Sequence, residues 1–189
     1  MFIGGFVHPP NEEGIIWFID YILPLVRHKI PDLQLTIVGS EPTDRLLAQA
    51  NDFITVTGYV EDVSCFFNDS RVFVSPLLHG AGVKGKIGQS FSYGLPVVTT
   101  TIGAEGMNLT DGHNALITDS ETEFADKIVQ LYTDKFLWQT LSTNSRQVIR
   151  EQFSTDTIRT ALEQVLGDTA DHGTRANDPP PVVVVHQRL

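Results

Sequence analysis

The sequence predicts an α/β fold in which a doubly wound parallel sheet of about six strands is followed by C-terminal helices. Two observations predict it. Short runs rich in β-branched and aromatic residues alternate with helical patterns along most of the 189 residues, and most of these runs end in a loop that contains glycine. Strands joined by helices of this length form right-handed crossovers, and such crossovers build a parallel sheet.

The strands are short and are recognised by their β-branched and aromatic residues. In order along the chain, we predict them over Phe2–Val7, Leu33–Val38, Phe53–Thr57, Arg71–Leu77, Leu95–Thr101 and Asn114–Thr118. Gly39 and Gly58 stop the second and third strands, because glycine leaves the extended conformation at little cost.

Helices are predicted between the first four strands. The first begins at Asn11, a residue type that caps helices, and it carries apolar residues at helical spacing up to Val26. Pro24 is expected to kink this helix. A short helix opens at Thr43, and Val60–Asp69 also has a helical pattern.

The remaining helices lie beyond a glycine-rich segment. One follows His79–Gly85 and ends at Gly94, a residue type typical of helix C-termini. Ser120 and Glu123 have the spacing of a capping box. The last helices are predicted over Ser120–Lys135, Leu137–Gln152 and Thr155–Leu166, and the first of these has an apolar stripe of Phe124, Ile128 and Leu131.

The composition changes near residue 168. From there to the C-terminus the chain is rich in Asp, Thr and Gly, and a run of prolines at Pro179–Pro181 precedes Val182–Val185. Nothing periodic precedes these valines. We therefore predict a single Rossmann-type domain over residues 1–167 and a disordered tail or linker over residues 168–189, rather than a seventh strand.

Charge and cysteine content exclude several classes of protein. The formal net charge of −10 argues against nonspecific binding to nucleic acid or to an anionic membrane, since both need a basic face. The single cysteine, Cys65, excludes an internal disulfide and any metal site built from several cysteines. No apolar run is long enough for a transmembrane segment, and no secretion signal is recognised. We expect a cytoplasmic protein.

Ligands of an open parallel sheet bind outside the carboxyl ends of its strands. The loops expected at that edge begin at Gly4-Gly5, Gly39-Ser40, Gly58, His79 and Thr101, and nearly all contain glycine. A glycine in one such loop indicates only a tight turn. Several at one edge favour a ligand that lies close to the backbone.

The strongest local motif is Gly80-Ala81-Gly82-Val83-Lys84-Gly85, which matches G-x-G-x-x-G between a strand and a helix. Backbone N–H groups at such a helix N-terminus can bind phosphate oxygens, and Lys84 and Lys86 add positive charge. One interpretation is a nicotinamide-binding dehydrogenase, with Glu105 on the ribose. The dinucleotide motif, however, usually opens the first βαβ unit, whereas here three strands precede it.

Five segments carry a resemblance to a known family: FIGGFVHPPNEEGIIWFIDYILPLV, LQLTIVGS, ITVTGYVEDV, VFVSPLLHGAGVKGKIGQSFSYGLPVVTTTIGAEGM and DGHNALI. In order and spacing they resemble the C-terminal half of group 1 (family 4) glycosyltransferases of the GT-B fold. The resemblance covers about residues 2–153. It implies a Rossmann-like donor domain whose partners are a nucleotide-diphosphate sugar, most simply UDP- or GDP-linked, and an N-terminal acceptor domain.

The resemblance also implies roles for single positions. The main chain of Gly58–Val60 would lie against the nucleobase, and Gly80–Lys84 would hold the diphosphate. Gln89 and Ala81 stand where many members have glutamates, which bind the ribose and lie near the donor sugar. An arginine and a lysine that clamp the diphosphate in many members match Phe6 and about Asn11 here.

We therefore predict a donor site that needs no metal and no cofactor, in a transferase that retains anomeric configuration. Catalytic residues are not identified. The predicted donor-binding residues are Gly4, Gly5, Gly39, Ser40, Gly58, Tyr59, Val60, His79, Gly80, Ala81, Gly82, Val83, Lys84, Lys86 and Gln89. The alternatives are a non-catalytic module that binds sugar nucleotides or another protein, motivated by Ala81 and Gln89, and the dehydrogenase half.

Overall fold

The computed structural model describes residues 1–152 and residue 159. Its strands are β1 (Phe2–Ile3), β2 (Leu35–Val38), β3 (Ile54–Val56), β4 (Phe73–Ser75), β5 (Val97–Thr99) and β6 (Leu116–Ile117). Its helices are α1 (Pro9–Trp17), α2 (Leu23–Lys29), α3 (Asp44–Leu47), α4 (Ser64–Asp69), α5 (Gly85–Tyr93), α6 (Thr101–Ala104), α7 (Glu121–Thr133) and α8 (Lys135–Gln152). Every predicted strand is present but shorter.

The strands form two three-stranded parallel sheets, with the orders β1-β2-β3 and β4-β5-β6. The parallel pairing confirms the predicted α/β class, whereas a single sheet of about six strands is not confirmed. Backbone hydrogen bonds link the two sheets beside β1 and β4. The Val74 nitrogen donates to the Met1 carbonyl at 2.9 Å, and the Met1 nitrogen donates to the Val72 carbonyl at 2.7 Å.

Alternate strand residues point to opposite faces, and each face is covered by helices. Phe2, Ile37 and Val98 belong to the apolar cluster that includes residues of α1, α2 and α7. Phe73 and Val97 belong to the other cluster, which includes residues of α4, α5 and α8. Strands buried on both faces are typical of parallel sheets and explain the near-continuous apolar runs in the sequence.

The first helix departs from the prediction at both ends of its apolar stripe. It begins at Pro9 with His8 as the N-cap, so Asn11 lies inside the helix and does not cap it. A π-helical turn, Phe18–Ile22, separates α1 from α2. The Leu23 nitrogen donates to the Phe18 carbonyl, and this wider turn precedes the ring of Pro24, which has no N–H to donate.

Other predicted boundaries are confirmed by their capping contacts. The Thr43 side chain accepts from the Leu46 nitrogen at the start of α3, and Gly94 ends α5 in the left-handed conformation at φ 68°. The capping box is half formed. The Ser120 hydroxyl accepts from the Glu123 nitrogen at 3.5 Å, but the Glu123 carboxylate accepts instead from the Thr118 hydroxyl at 2.8 Å.

Two predictions lie wholly or mainly outside the described residues. They are the helix over Thr155–Leu166 and the domain boundary between residues 167 and 168. The short helix α6 had not been predicted. Its N-cap is Thr100, whose hydroxyl accepts from the Gly103 nitrogen at 3.1 Å.

Candidate functional site

The loops after β1, β2 and β3 are tied together by their backbones. The Gly4 nitrogen donates to the Val38 carbonyl at 3.0 Å, and the Gly39 nitrogen donates to the Gly58 carbonyl at 3.1 Å. A side chain at Gly39 would place its Cβ 1.7 Å from the Gly4 carbonyl oxygen, so this close approach requires glycine. The glycines predicted from the sequence therefore bring three loops to one place.

These loops border a cleft of about 320 Å³ at the carboxyl edge of the first sheet. Among the predicted site residues, the cleft is lined by Gly4, Gly5, Gly39, Ser40, Tyr59, Val60, Lys86 and Gln89. Its other lining residues are Ile3, Asn11, Val38 and Val63, which were not among the predicted donor-binding residues. The position of Asn11 could have been noticed, since it matches a basic residue of the family.

Lys86 supplies the positive charge of this cleft. Its Nζ donates a hydrogen bond to Asn11 Oδ1 and lies 4.6 Å from the centroid of the Phe2 ring. Burial, together with the positive charge of Lys84, lowers the pKa of Lys86 to about 8. A buried ammonium without a carboxylate partner is costly, and such a group attracts anions.

Asn11 connects Lys86 to the loop after β1. Its side chain is 7% exposed, and its Nδ2 donates to the Gly5 carbonyl oxygen at 2.8 Å. A Cβ on Gly4 would lie 2.9 Å from Asn11 Cγ and 3.2 Å from Lys86 Nζ. Gly4 is therefore needed to leave room for this pair of side chains.

Gln89 also lines the cleft, one turn after Lys86 on α5. Residues three positions apart lie on the same side of a helix, so the amide of Gln89 and the ammonium of Lys86 share one face. The helix begins at Gly85, two residues later than Val83, where the prediction placed its start.

The glycine loop Gly80–Lys84 does not line this cleft. Gly80 and Gly82 have φ values of 120° and 81°, which explains the residue type at both positions. The Lys84 Nζ donates to the Gly82 carbonyl at 2.6 Å, so the lysine closes the loop on itself. A Cβ on Gly106 would lie 3.6 Å from Gly82 C, which places the loop after α6 beside it.

His79, also predicted for the site, lies outside the cleft lining and contacts α1. Its Nε2 is 2.6 Å from Glu13 Oε2, and both side chains are about half exposed. The neighbouring Glu12 accepts from the Thr43 hydroxyl at 2.6 Å. The two carboxylates at the start of α1 therefore have partners on other loops.

A second cavity of about 240 Å³ is lined by residues near the other ends of the strands, including Met1, Asp32 and Arg71. No predicted donor-binding residue lines it. Among residues 1–152 and residue 159, no group of three His, Cys, Asp or Glu side chains is placed to hold a metal ion. Within the same described part of the chain, no helix is long and apolar enough to cross a membrane.

Comparison with known sequences identifies relatives of the chain. A family model described as glycosyl transferases group 1 matches residues 1–134. An uncharacterized 44.6 kDa protein in the cps region of Klebsiella pneumoniae is 27% identical over 172 residues, which is 86% of this chain and 44% of that protein. The capsular polysaccharide biosynthesis glycosyltransferase CapM of Staphylococcus aureus is 25% identical over 173 residues, which is 87% of this chain and 45% of CapM.

Solved structures share the fold. TarM of S. aureus, whose structure was determined in complex with fondaparinux, α-GlcNAc-glycerol and UDP, matches with a TM-score of 0.73 at 22% identity, covering 87% of this chain and 34% of TarM. The chain thus spans less than half the length of the curated relatives it matches. The family match covers most of the described domain, and the fold is the Rossmann-like half of a GT-B protein. The chain belongs to the group 1 glycosyltransferases.

Proposed function

We propose that this chain is the nucleotide-sugar donor-binding domain of a retaining glycosyltransferase, which transfers the sugar to an acceptor held by an N-terminal acceptor domain. One observation carries the proposal. The cleft at the carboxyl edge of the first sheet joins predicted donor loops from three strands and has the Lys86 ammonium in its lining. A binding position outside the carboxyl ends of parallel strands is general for this class of fold.

Each part of the cleft suits one part of the donor. The backbone of Gly39, Tyr59 and Val60 offers polar groups for a nucleobase. Gln89 offers one acceptor and one donor for the ribose hydroxyls. Lys86 offers a charge-assisted hydrogen bond to the diphosphate, and positive charge there stabilises the leaving group without a metal ion.

The donor is proposed to be UDP- or GDP-linked, and the reaction to take place in the cytoplasm. TarM was crystallised with UDP, which makes UDP the first nucleotide to test. The site requires no bound cofactor in this proposal, because the positive charge comes from Lys86 and the backbone supplies the remaining polar groups.

Nucleotide titration tests the proposal. Cys65 is the single cysteine of the chain and is exposed, two residues from Val63 of the cleft lining, so a fluorophore on Cys65 reports on occupancy. We expect UDP or GDP to bind, and ADP and NAD to bind at least tenfold more weakly. NAD as the best ligand would favour a dehydrogenase half and would contradict the proposal.

Substitution of the lysines locates the diphosphate. Lys86→Gln removes a charge-assisted bond and is expected to weaken UDP binding by roughly 1.5–3 kcal/mol. Lys84→Ala tests the proposal that the glycine loop also contacts the diphosphate, and a loss of similar size would support it. Lys29 is the matched control, because it is paired with Asp126 on α7 and does not line the cleft.

A second candidate is a non-catalytic module that binds sugar nucleotides or another protein. Ala81 and Gln89, in place of two carboxylates that the family resemblance leads us to expect, favour it. The two candidates separate in a longer protein that carries both halves. If it binds the donor but releases no nucleoside diphosphate when acceptor is supplied, the non-catalytic function is favoured.

A further inference from the structure

The cleft contains an asparagine–lysine pair that the family resemblance did not predict. Asn11 stands where many relatives have a lysine, and Lys86 lies 75 residues further along the chain. The structure brings their side chains into direct contact, since Lys86 Nζ donates to Asn11 Oδ1. A lysine at position 11 is thus absent in sequence, while an ammonium is present beside that position in space.

We infer that Asn11 is a positioning residue: it holds the Lys86 ammonium at the loop after β1, so that the pair binds the donor diphosphate in place of the missing basic clamp. This inference rests on the proposed function. Three contacts support it. Asn11 is almost fully buried, its Nδ2 is anchored on the Gly5 carbonyl at 2.8 Å, and its Oδ1 is left to accept from Lys86.

The anchoring fixes which way the amide points. Because Nδ2 donates to a carbonyl, Oδ1 is the atom that faces the ammonium, and an amide turned over would set two donors against Lys86. A carboxylate at this position would attract Lys86 but also cancel its charge. A neutral acceptor orients the ammonium and leaves its charge available to an anion.

Charged groups on the surrounding elements are few. Lys84, on the same segment, lowers the pKa of Lys86 by repulsion. On α1, Glu12 accepts from Thr43 and Glu13 contacts His79. With the pKa of Lys86 near 8, nucleotide affinity should be constant at lower pH and should fall as the pH rises through that value, because the free protein loses the charge.

The test follows this pH midpoint in variants of Asn11. Asn11→Ala removes an acceptor that favours the charged lysine, so we expect the midpoint to move to lower pH and UDP affinity at pH 7 to fall about three- to tenfold. Asn11→Asp adds a negative charge, so we expect the midpoint to move to higher pH. Asn114→Ala is the matched control, since it removes another buried asparagine, whose Oδ1 accepts from the Thr110 nitrogen.

A swap of the charge makes the test independent of the fold. In the variant Asn11→Lys/Lys86→Gln the ammonium comes from α1 instead of α5. We expect it to recover most of the affinity that Lys86→Gln loses. A swapped protein that melts cooperatively but binds no better than Lys86→Gln would overturn the inference.

A ligand-free measurement separates this inference from the proposed function. NMR titration of the Lys86 side chain, without nucleotide, should show midpoints that shift in opposite directions for Asn11→Ala and Asn11→Asp. Unchanged midpoints, or shifts in the same direction, would show that Asn11 does not position the lysine. If the wild-type protein binds neither UDP nor GDP, the proposed function fails, and the diphosphate role of the pair fails with it, whatever the NMR midpoints show.

Discussion

At the scale of single residues, Lys86 is a group whose burial is unfavourable for the free protein. Its pKa is about 8 in the folded chain, below the ordinary lysine value of 10.5. Between these two values the unfolded chain binds more protons than the folded one, so the contribution of Lys86 makes the protein more stable as the pH rises. Below pH 8 the full cost of burying the ammonium remains.

We therefore predict that Lys86→Met stabilises the ligand-free protein. At pH 7 the gain in unfolding free energy should approach about 3 kcal/mol, less the cation–π contact with Phe2, and it should fade toward pH 10.5. Urea unfolding of both proteins at several pH values measures this difference. A residue that is stabilising to remove but needed for binding is expected at a functional site, and a destabilised Lys86→Met would contradict the prediction.

Gln89 gives a second prediction at this scale. A carboxylate can accept from both ribose hydroxyls, whereas the amide accepts only through its carbonyl oxygen. Gln89→Glu should tighten nucleoside diphosphate binding by about 1 kcal/mol, or about fivefold, and a deoxyribose analogue should gain less. Isothermal titration with both nucleotides checks this. Unchanged affinities would mean that Gln89 does not face the ribose.

At the scale of elements, two helical glycines make a matched pair. A Cβ on Gly14 of α1 would lie 2.4 Å from the Pro76 carbonyl oxygen, which is backbone and cannot turn away. A Cβ on Gly88 of α5 would meet only side-chain atoms, at 3.8 Å. We predict that Gly14→Ala destabilises the protein by about 2 kcal/mol or more, while Gly88→Ala stabilises it by up to about 1 kcal/mol.

Thermal unfolding measures both glycine variants. Gly14→Ala should also weaken nucleotide binding, because Asn11 lies one turn earlier on the same helix and would move with it. Equal stabilities for the two variants would show that α1 is not held against the loop after β4 by this contact.

The same scale shows what sequence patterns could and could not predict. Thr43, Ser120 and Gly94 act through their own backbone neighbourhood, so their capping roles follow from local sequence. The contact of Asn11 with Lys86 joins two segments far apart in the chain, and no local pattern specifies it. Pro24 was read as a kink, but the distortion lies in the turn before it, where the backbone hydrogen bond was free to change.

At the scale of the whole molecule, the carboxyl edge around the cleft exposes apolar side chains. Val7, Tyr59 and Val83 are 70%, 76% and 60% exposed, and each lies in a loop at or near the carboxyl end of a strand. Apolar side chains grouped at one edge favour a partner surface. The relatives are more than twice as long as the matched segment, which is in keeping with a second domain on this face.

We predict, accordingly, that this 189-residue chain binds its nucleotide but transfers no sugar. Transfer requires an acceptor held against the donor and a reacting diphosphate shielded from water, and an open cleft of about 320 Å³ on one domain gives neither. The assay is release of nucleoside diphosphate from a donor that binds with a measured Kd, with and without acceptor. Release at the spontaneous rate is expected, because the bound donor stays exposed to solvent and no acceptor oxygen is held beside it. Robust turnover by this chain would contradict the prediction and would place the acceptor on the exposed apolar edge itself.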